Sequence, residues 1–187
     1  FVGLYYKQMN EIKNVVLPPP KSKTVVTEKP KIKRVVTETE KWTFSKEDLL
    51  PETQFSAVEP LLTESSTSLS KTSEFIMTQI ANKISGYRSQ DTEKELLDLD
   101  LLVSKADVLE LMRGSCLSCY YCKEGTLVLY EYVRDPKQWT LERLDNSQGH
   151  NRDNVVLSCL RCNLRRRTMH SDRYLQTKAM SKIVKID

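Results

Sequence analysis

Cys119-Tyr120-Tyr121-Cys122 and Cys159-Leu160-Arg161-Cys162 are two C-x-x-C knuckles set 36 residues apart in a chain of 187. The i, i+3 spacing lets one tight turn aim two thiolates at a single point. Two such turns complete the tetrahedral four-sulfur shell of a structural zinc ion, which has no open coordination position and so holds a fold together rather than doing chemistry. Cys116-Leu117-Ser118-Cys119 has the same spacing, so a Cys116/Cys119 knuckle is the competing choice. Cys119/Cys122 is preferred, which makes Cys116 a small buried residue. All five cysteines fall between positions 116 and 162. An odd, clustered set with this spacing reads as metal ligation in a reducing compartment rather than as a disulfide framework. An intracellular setting is expected, the nucleus and the inside of a virus particle among the options.

Between the knuckles, Leu127 to Val133 and Trp139 to Leu144 are strand-like, with a turn at Asp135-Pro136. Asn146-Ser147-Gln148-Gly149 is a turn and Asn151 to Asn154 a polar loop. Val155-Val156-Leu157 is a short apolar strand, and a helix starts near Leu160 carrying Arg165, Arg166 and Arg167. The order is strand, loop, strand, helix, with zinc joining the base of the hairpin to the helix.

Upstream, Ser104-Lys105-Ala106-Asp107 is a capping-box-like start for a helix over 104–113, with Gly114 as its C′ stop. Ile76, Ile80, Ile84 and Tyr87 recur at helical spacing, which predicts an amphipathic helix over about 72–87 ending near Gly86. Residues 61–73 are rich in Ser and Thr and read as a linker. Six of the seven prolines lie in the first 60 residues, where Lys13-Asn14-Val15-Val16, Lys23-Thr24-Val25-Val26 and Lys33-Arg34-Val35-Val36 repeat every ten residues. Such a segment cannot bury enough apolar surface to offset its ordering entropy. It reads either as an extended arm whose Val-Val pairs dock on a protein partner, or as a plain linker. Three regions follow: an arm over 1–70, a helical segment over 71–113, and a zinc domain with a basic C-terminal helix over 114–187.

Net charge is only +4, but it is unevenly spread. Residues 90–110 carry seven acids against two lysines, and 161–187 carry eight basic residues against two acids. A basic C-terminal face suits a polyanion, DNA being the expected one, although a solvated helix face gives the same pattern. No stretch approaches the roughly 20 apolar residues of a membrane span, so a membrane is not an expected partner.

The run from Trp139 through Glu142-Arg143-Leu144-Asp145-Asn146, Gly149-His150, Asp153-Asn154-Val155-Val156 and Cys159-x-x-Cys162-Asn163 resembles the zinc-knuckle HNH endonucleases of phages, homing elements and large DNA viruses. The resemblance covers about 114–170. It implies an α+β fold, a small zinc-stabilised ββα-metal (HNH-like) domain, here preceded by helices and the extended N-terminal arm. It also implies DNA phosphodiester cleavage with a divalent cation, usually Mg²⁺, at the scissile phosphate. Carried over residue by residue, Glu142 or Asp145 supplies the carboxylate, Asn154 the middle Asn and Asn163 the helix ligand, an oxygen-rich set suited to a hard cation. Arg165, Arg166 and Arg167, with Arg143 and Arg161, would lie against phosphates.

The family's general-base histidine aligns with Arg143, whose guanidinium stays protonated and cannot accept a proton. His150 would take that role if its loop folds back; Asp145, or water relayed from it, is the alternative. Plainer roles exist for the same residues: a surface salt-bridge cluster for Glu142, Arg143 and Asp145, a turn for Asn154, and a cap for Asn163. Two functions therefore stand side by side. One is an HNH-type nuclease or a divergent descendant. The other is a non-catalytic HNH-derived zinc module, a structural or DNA-binding component of a large assembly such as a virus particle. A zinc-ribbon transcription accessory module would explain the cysteines but not Glu142 to Asn154.

Overall fold

Strong apolar alternation is confined to two short segments, and these form the single sheet among the described residues. The structure, a computed structural model, describes residues 30–62 and 70–180. The first two Val-Val units and residues 63–69 of the Ser/Thr-rich stretch lie outside them. Strand β1 (Trp139–Arg143) pairs antiparallel with β2 (Val155–Cys159), Trp139 opposite Cys159 and Leu141 opposite Leu157. Side chains alternate across a strand. Trp139, Leu141, Val155 and Leu157 thus enter the core while Thr140 and Glu142 take the other face. Helix α4 (Leu160–Arg166) follows β2 without a loop and lies on that second face. Asn163 meets Thr140 and Arg166 meets Glu142: two helix positions three apart answer two strand positions two apart. Helix α5 (Ser171–Met180) brings Tyr174 against the cysteines.

The core is completed from upstream by helices α1 (Pro51–Val58), α2 (Lys71–Glu93) and α3 (Lys105–Gly114). Val58, Ile76, Ile80, Val108 and Met112 pack with Trp139 and Leu141 in one cluster. The described residues from Lys31 onward belong to one compact unit, so the core crosses the sequence boundaries at 70 and 113. Among the described residues, five α-helices and this two-stranded sheet make a mixed α and β fold, and no helix is long and apolar enough to cross a membrane.

Four expectations are corrected. Leu127 to Val133 is not a strand: Leu127 makes only an isolated bridge to Gln138. Its buried backbone is satisfied instead by the Gln54 side chain. Gln54 Oε1 accepts from the Val128 and Leu129 N–H groups (2.7 and 2.8 Å), and its Nε2 donates to the Leu129 carbonyl (3.1 Å).

Helix α2 runs straight through Gly86 to Glu93, because its second half has a surface of its own to bind. The Cβ that Gly86 lacks would meet open space, so this glycine sits on the solvent side and nothing stops the helix there.

Helix α3 has the expected Ser104–Asp107 capping box, but its stop lies two residues later. Leu117 N–H bonds the Met112 carbonyl and Cys116 N–H that of Arg113, a Schellman closure with Cys116 at φ 49° as the left-handed C′ residue. That geometry turns Cys116 outward, so it is exposed, not buried as expected.

Residues 31–62 are not an extended arm. Arg34 stacks over the Tyr130 ring at 4.0 Å and donates to Gln79 Oε1 at 2.6 Å, while Trp42, Phe44 and Phe75 form an edge-to-face trio. In this third repeat unit Lys33 and Arg34 make the contacts; Val35 is 81% exposed.

Two measurements test this packing. Gln54→Leu leaves two buried backbone donors unpaired, at a cost of about 1–3 kcal/mol each, so denaturant unfolding should shift by about 2–6 kcal/mol. An unchanged midpoint would show the Leu127–Val133 segment finds other partners. Lys83 rests over Trp139 and bonds its carbonyl, and burial, followed by nearby Arg34, pulls its pKa from 10.5 down to about 7. A folded-state value below the unfolded one means the unfolded chain holds the extra proton between the two. Stability should therefore rise as pH climbs from about 7 toward 10 in wild type but not in Lys83→Met. Parallel melting-versus-pH curves would refute this.

Candidate metal centre and adjoining cleft

Two backbone turns build the metal centre. In the first knuckle Lys123 N–H returns to the Cys119 carbonyl and Cys119 N–H to that of Glu124, both at 2.9 Å. Lys123 takes φ 62° to close the turn. The second knuckle is the β2-to-α4 junction, with Cys159 at the N-cap of α4 and Cys162 in its first turn. The knuckles are held together from outside by Tyr120 N–H to the Leu157 carbonyl (2.8 Å) and by Arg161 to Glu124 (2.6 Å). Arg161, expected at a phosphate, is engaged in this cross-link.

The four sulfurs of Cys119, Cys122, Cys159 and Cys162 are buried and lie within 4.8 Å of one another. Cys122 and Cys159 are 3.8 Å apart, matching the edge of about 3.8 Å that a tetrahedron with 2.3 Å metal–sulfur bonds requires. These residues fit a metal ion and could hold one. Crowding drives the thiols apart in acidity. The hydrogen bond between them pulls Cys119 down and pushes Cys159 up, and burial pushes Cys162 up. A divalent cation would relieve that conflict by stabilising all four as thiolates. Tyr121 and Tyr174 shield the cluster, their rings edge to face at 4.9 Å.

On the other side of α4 lies a cleft of about 340 Å³, whose walls include Tyr87, Glu142, Arg143, His150, Asn163 and Arg167. Glu142 is 6% exposed. Its Oε1 is paired with the guanidinium of Arg166, itself fully buried, and its Oε2 has no hydrogen-bond partner among the described residues. Burial raises the Glu142 pKa, against the opposing pull of Arg166. Asn163 donates to Thr140 Oγ1 (3.3 Å). His150 is 5% exposed. Its Nδ1 lies 2.8 and 3.0 Å from the two oxygens of Asp91, and its ring stacks on Tyr87 with centroids 4.3 Å apart. Burial lowers the His150 pKa more than the hydrogen bond and charge of Asp91 raise it.

The remaining site candidates lie elsewhere. Asp145 is turned away into its own loop, its carboxylate accepting from Ser147 N–H (2.9 Å), Ser147 Oγ (2.7 Å) and Gln148. Asn154 is buried and braces that loop, accepting from Asp145 N–H and donating to the Asp145 and Gly149 carbonyls at 2.9–3.0 Å. Among the described residues no hydrogen bond joins it to His150. The arginine triplet splits three ways: Arg165 is exposed, Arg166 is an internal ion-pair partner out of reach of phosphate, and Arg167 closes α4 at φ 53° on the cleft rim.

Sequence reasoning missed Tyr87, Gln90 and Lys94, which line the cleft, and Asp91, which holds His150. They lie upstream of the resembling stretch and past the glycine taken as the helix end. The i, i+4 spacing of Tyr87 and Asp91 was the available signal. No family model, curated protein or solved structure matches this chain.

Replacing Cys122 or Cys159 by Ser should abolish metal binding by the purified protein and unfold the C-terminal half, because the short sheet loses its main cross-link. Cys116→Ser should retain full metal and melt normally. Elemental analysis of all three decides the knuckle assignment; metal loss in Cys116→Ser would reverse it.

Proposed function

We propose that this chain is an HNH-type metal-dependent DNA endonuclease or a divergent descendant of one, built around a structural zinc on Cys119, Cys122, Cys159 and Cys162. The observation that carries this reading is the cleft, where Glu142, Asn163 and His150 line one small space with Lys94, Arg143 and Arg167. Three cationic side chains around a polar cleft are suited to a phosphodiester backbone. Glu142 Oε2 is buried, ionisable and without a partner, an orphan of the kind a hard divalent cation satisfies. Glu142 and Asn163 would hold such a cation, which when bound supplies charge neutralisation at the scissile phosphate. Arg143 and Arg167 hold the strand, and Arg166 keeps Glu142 facing the cleft.

One observation favours the second reading, a non-catalytic zinc module in a large assembly such as a virus particle. Arg166 already neutralises Glu142, and Arg143 stands where the family's base would be. That module would bind DNA and leave it intact.

Supercoiled-plasmid nicking with Mg²⁺ or Mn²⁺ separates the two. Wild type should nick, and Asn163→Ala should lose roughly tenfold or more, since a misplaced metal ligand costs on this scale. Substituting Arg143 and Arg167 together by Gln should weaken binding to unrelated sequences equally and flatten the salt slope by about 1 per lost phosphate contact. Binding without any nicking would establish the second reading in its DNA-binding form, and no binding at all would exclude the nuclease.

A further inference from the structure

We propose that His150, held by Asp91 of α2, is the general base of this cleft, taking over from the strand position occupied by Arg143; the assignment rests on the nuclease reading above. Three features of the geometry converge on His150 Nε2. First, Asp91 grips the residue twice. Its carboxylate accepts the His150 backbone N–H at 2.6 Å and the ring Nδ1 at 2.8 Å, and Asp91 is itself only 1% exposed. An imidazole whose Nδ1–H is taken by a carboxylate presents a bare Nε2 lone pair, the arrangement of an oriented base. Nε2 has no hydrogen-bond partner among the described residues, and the ring lines the cleft beside Glu142 and Asn163.

Second, the ring plane is fixed. Tyr87 stacks on it at an interplanar angle of 25°, and the Tyr87 hydroxyl is anchored by the Leu141 N–H at 2.9 Å. Third, the loop carrying His150 is folded back by the residue that displaced the usual base. Arg143 donates to the Gln148 carbonyl at 2.9 Å, and Asn154 holds the Gly149 carbonyl at 3.0 Å. Gly149 admits the approach: a Cβ there would lie 2.5 Å from the Leu96 carbonyl oxygen and 3.0 Å from Asp91 Oδ2. Arg143 is thus a loop organiser rather than a failed base.

In the step assigned, a water gives one proton to His150 Nε2 as its oxygen bonds to phosphorus. The phosphorus–oxygen bond to the leaving deoxyribose breaks, and the leaving alkoxide takes a proton from solvent. The imidazolium so formed is stabilised by Asp91, a positioning residue, and returns its proton to solvent.

The test uses the full chain, supercoiled plasmid and Mn²⁺, comparing wild type with His150→Ala, His150→Gln and Asp91→Asn, each checked for metal content and melting. Single-turnover nicking should fall roughly 10²–10⁴-fold in both His150 variants with plasmid affinity unchanged. Added imidazole should restore at least roughly tenfold of that in His150→Ala, filling the vacated space. Asp91→Asn should lose rate but not affinity. Folded variants that nick within about threefold of wild type, or a folded His150→Ala that is slow but indifferent to imidazole, would overturn the assignment while leaving the nuclease reading intact. If His150→Ala does not fold, His150→Gln and Asp91→Asn decide by rate alone. A wild type that binds plasmid and never nicks overturns both.

Discussion

The convergence of four buried sulfurs is the constraint on which the rest of the C-terminal half depends. The sheet has two strands of five residues each and the helix behind it has seven. Elements this small do not bury enough apolar surface to be stable alone. Tying the 119–122 turn to the start of α4 sets where the helix begins and how it is rotated. With that rotation given, Asn163 and Arg166 face β1, Cys162 faces inward, and Leu164 and Arg165 are left to solvent.

The Glu142–Arg166 pair is the second consequence of that rotation. Taking both charges out of water is costly, and the pair persists because Arg166 both meets Glu142 Oε1 and donates to the Leu144 carbonyl at 2.9 Å. It locks α4 onto the strand end, while Glu142 Oε2 and Arg166 Nε have no hydrogen-bond partner among the described residues. One carboxylate thus serves packing with a single oxygen. The same economy appears in the loop that follows. Arg143 and Asn154 spend their hydrogen bonds on loop carbonyls, and the product of that folding is the position of His150 against α2.

Helix α2 and the segment before it turn a small four-cysteine motif into a larger unit. The first half of α2 supplies Ile76 and Ile80 to the core, and the second half supplies Tyr87 to the cleft wall and Asp91 to His150. Residues 31–62 clasp the opposite side, where Gln54 substitutes for a missing strand partner and Arg34 stacks on Tyr130. An amide side chain can replace a neighbouring strand because it offers one acceptor and one donor in the same plane as a peptide.

Sequence alone determined the local features: the two knuckles, the strand alternation at Trp139 and Val155, the capping box at Ser104, and the cleft candidates Glu142, His150 and Asn163. Each is legible because it depends on spacing along the chain, three residues for a knuckle or a cap and two for a strand face. Tertiary structure decided what each side chain touches. Arg166 reads like Arg165 and Arg167 in sequence, and only the rotation of α4 makes it an internal counter-ion. Asp145 reads like Glu142, yet its carboxylate is used up within its own turn. Leu127 to Val133 is as apolar as a strand but makes only isolated bridges, and Asp91 meets His150 across 59 residues of chain. Partners that distant share no period or spacing, so packing of the whole unit brings them together and leaves no mark in the local sequence.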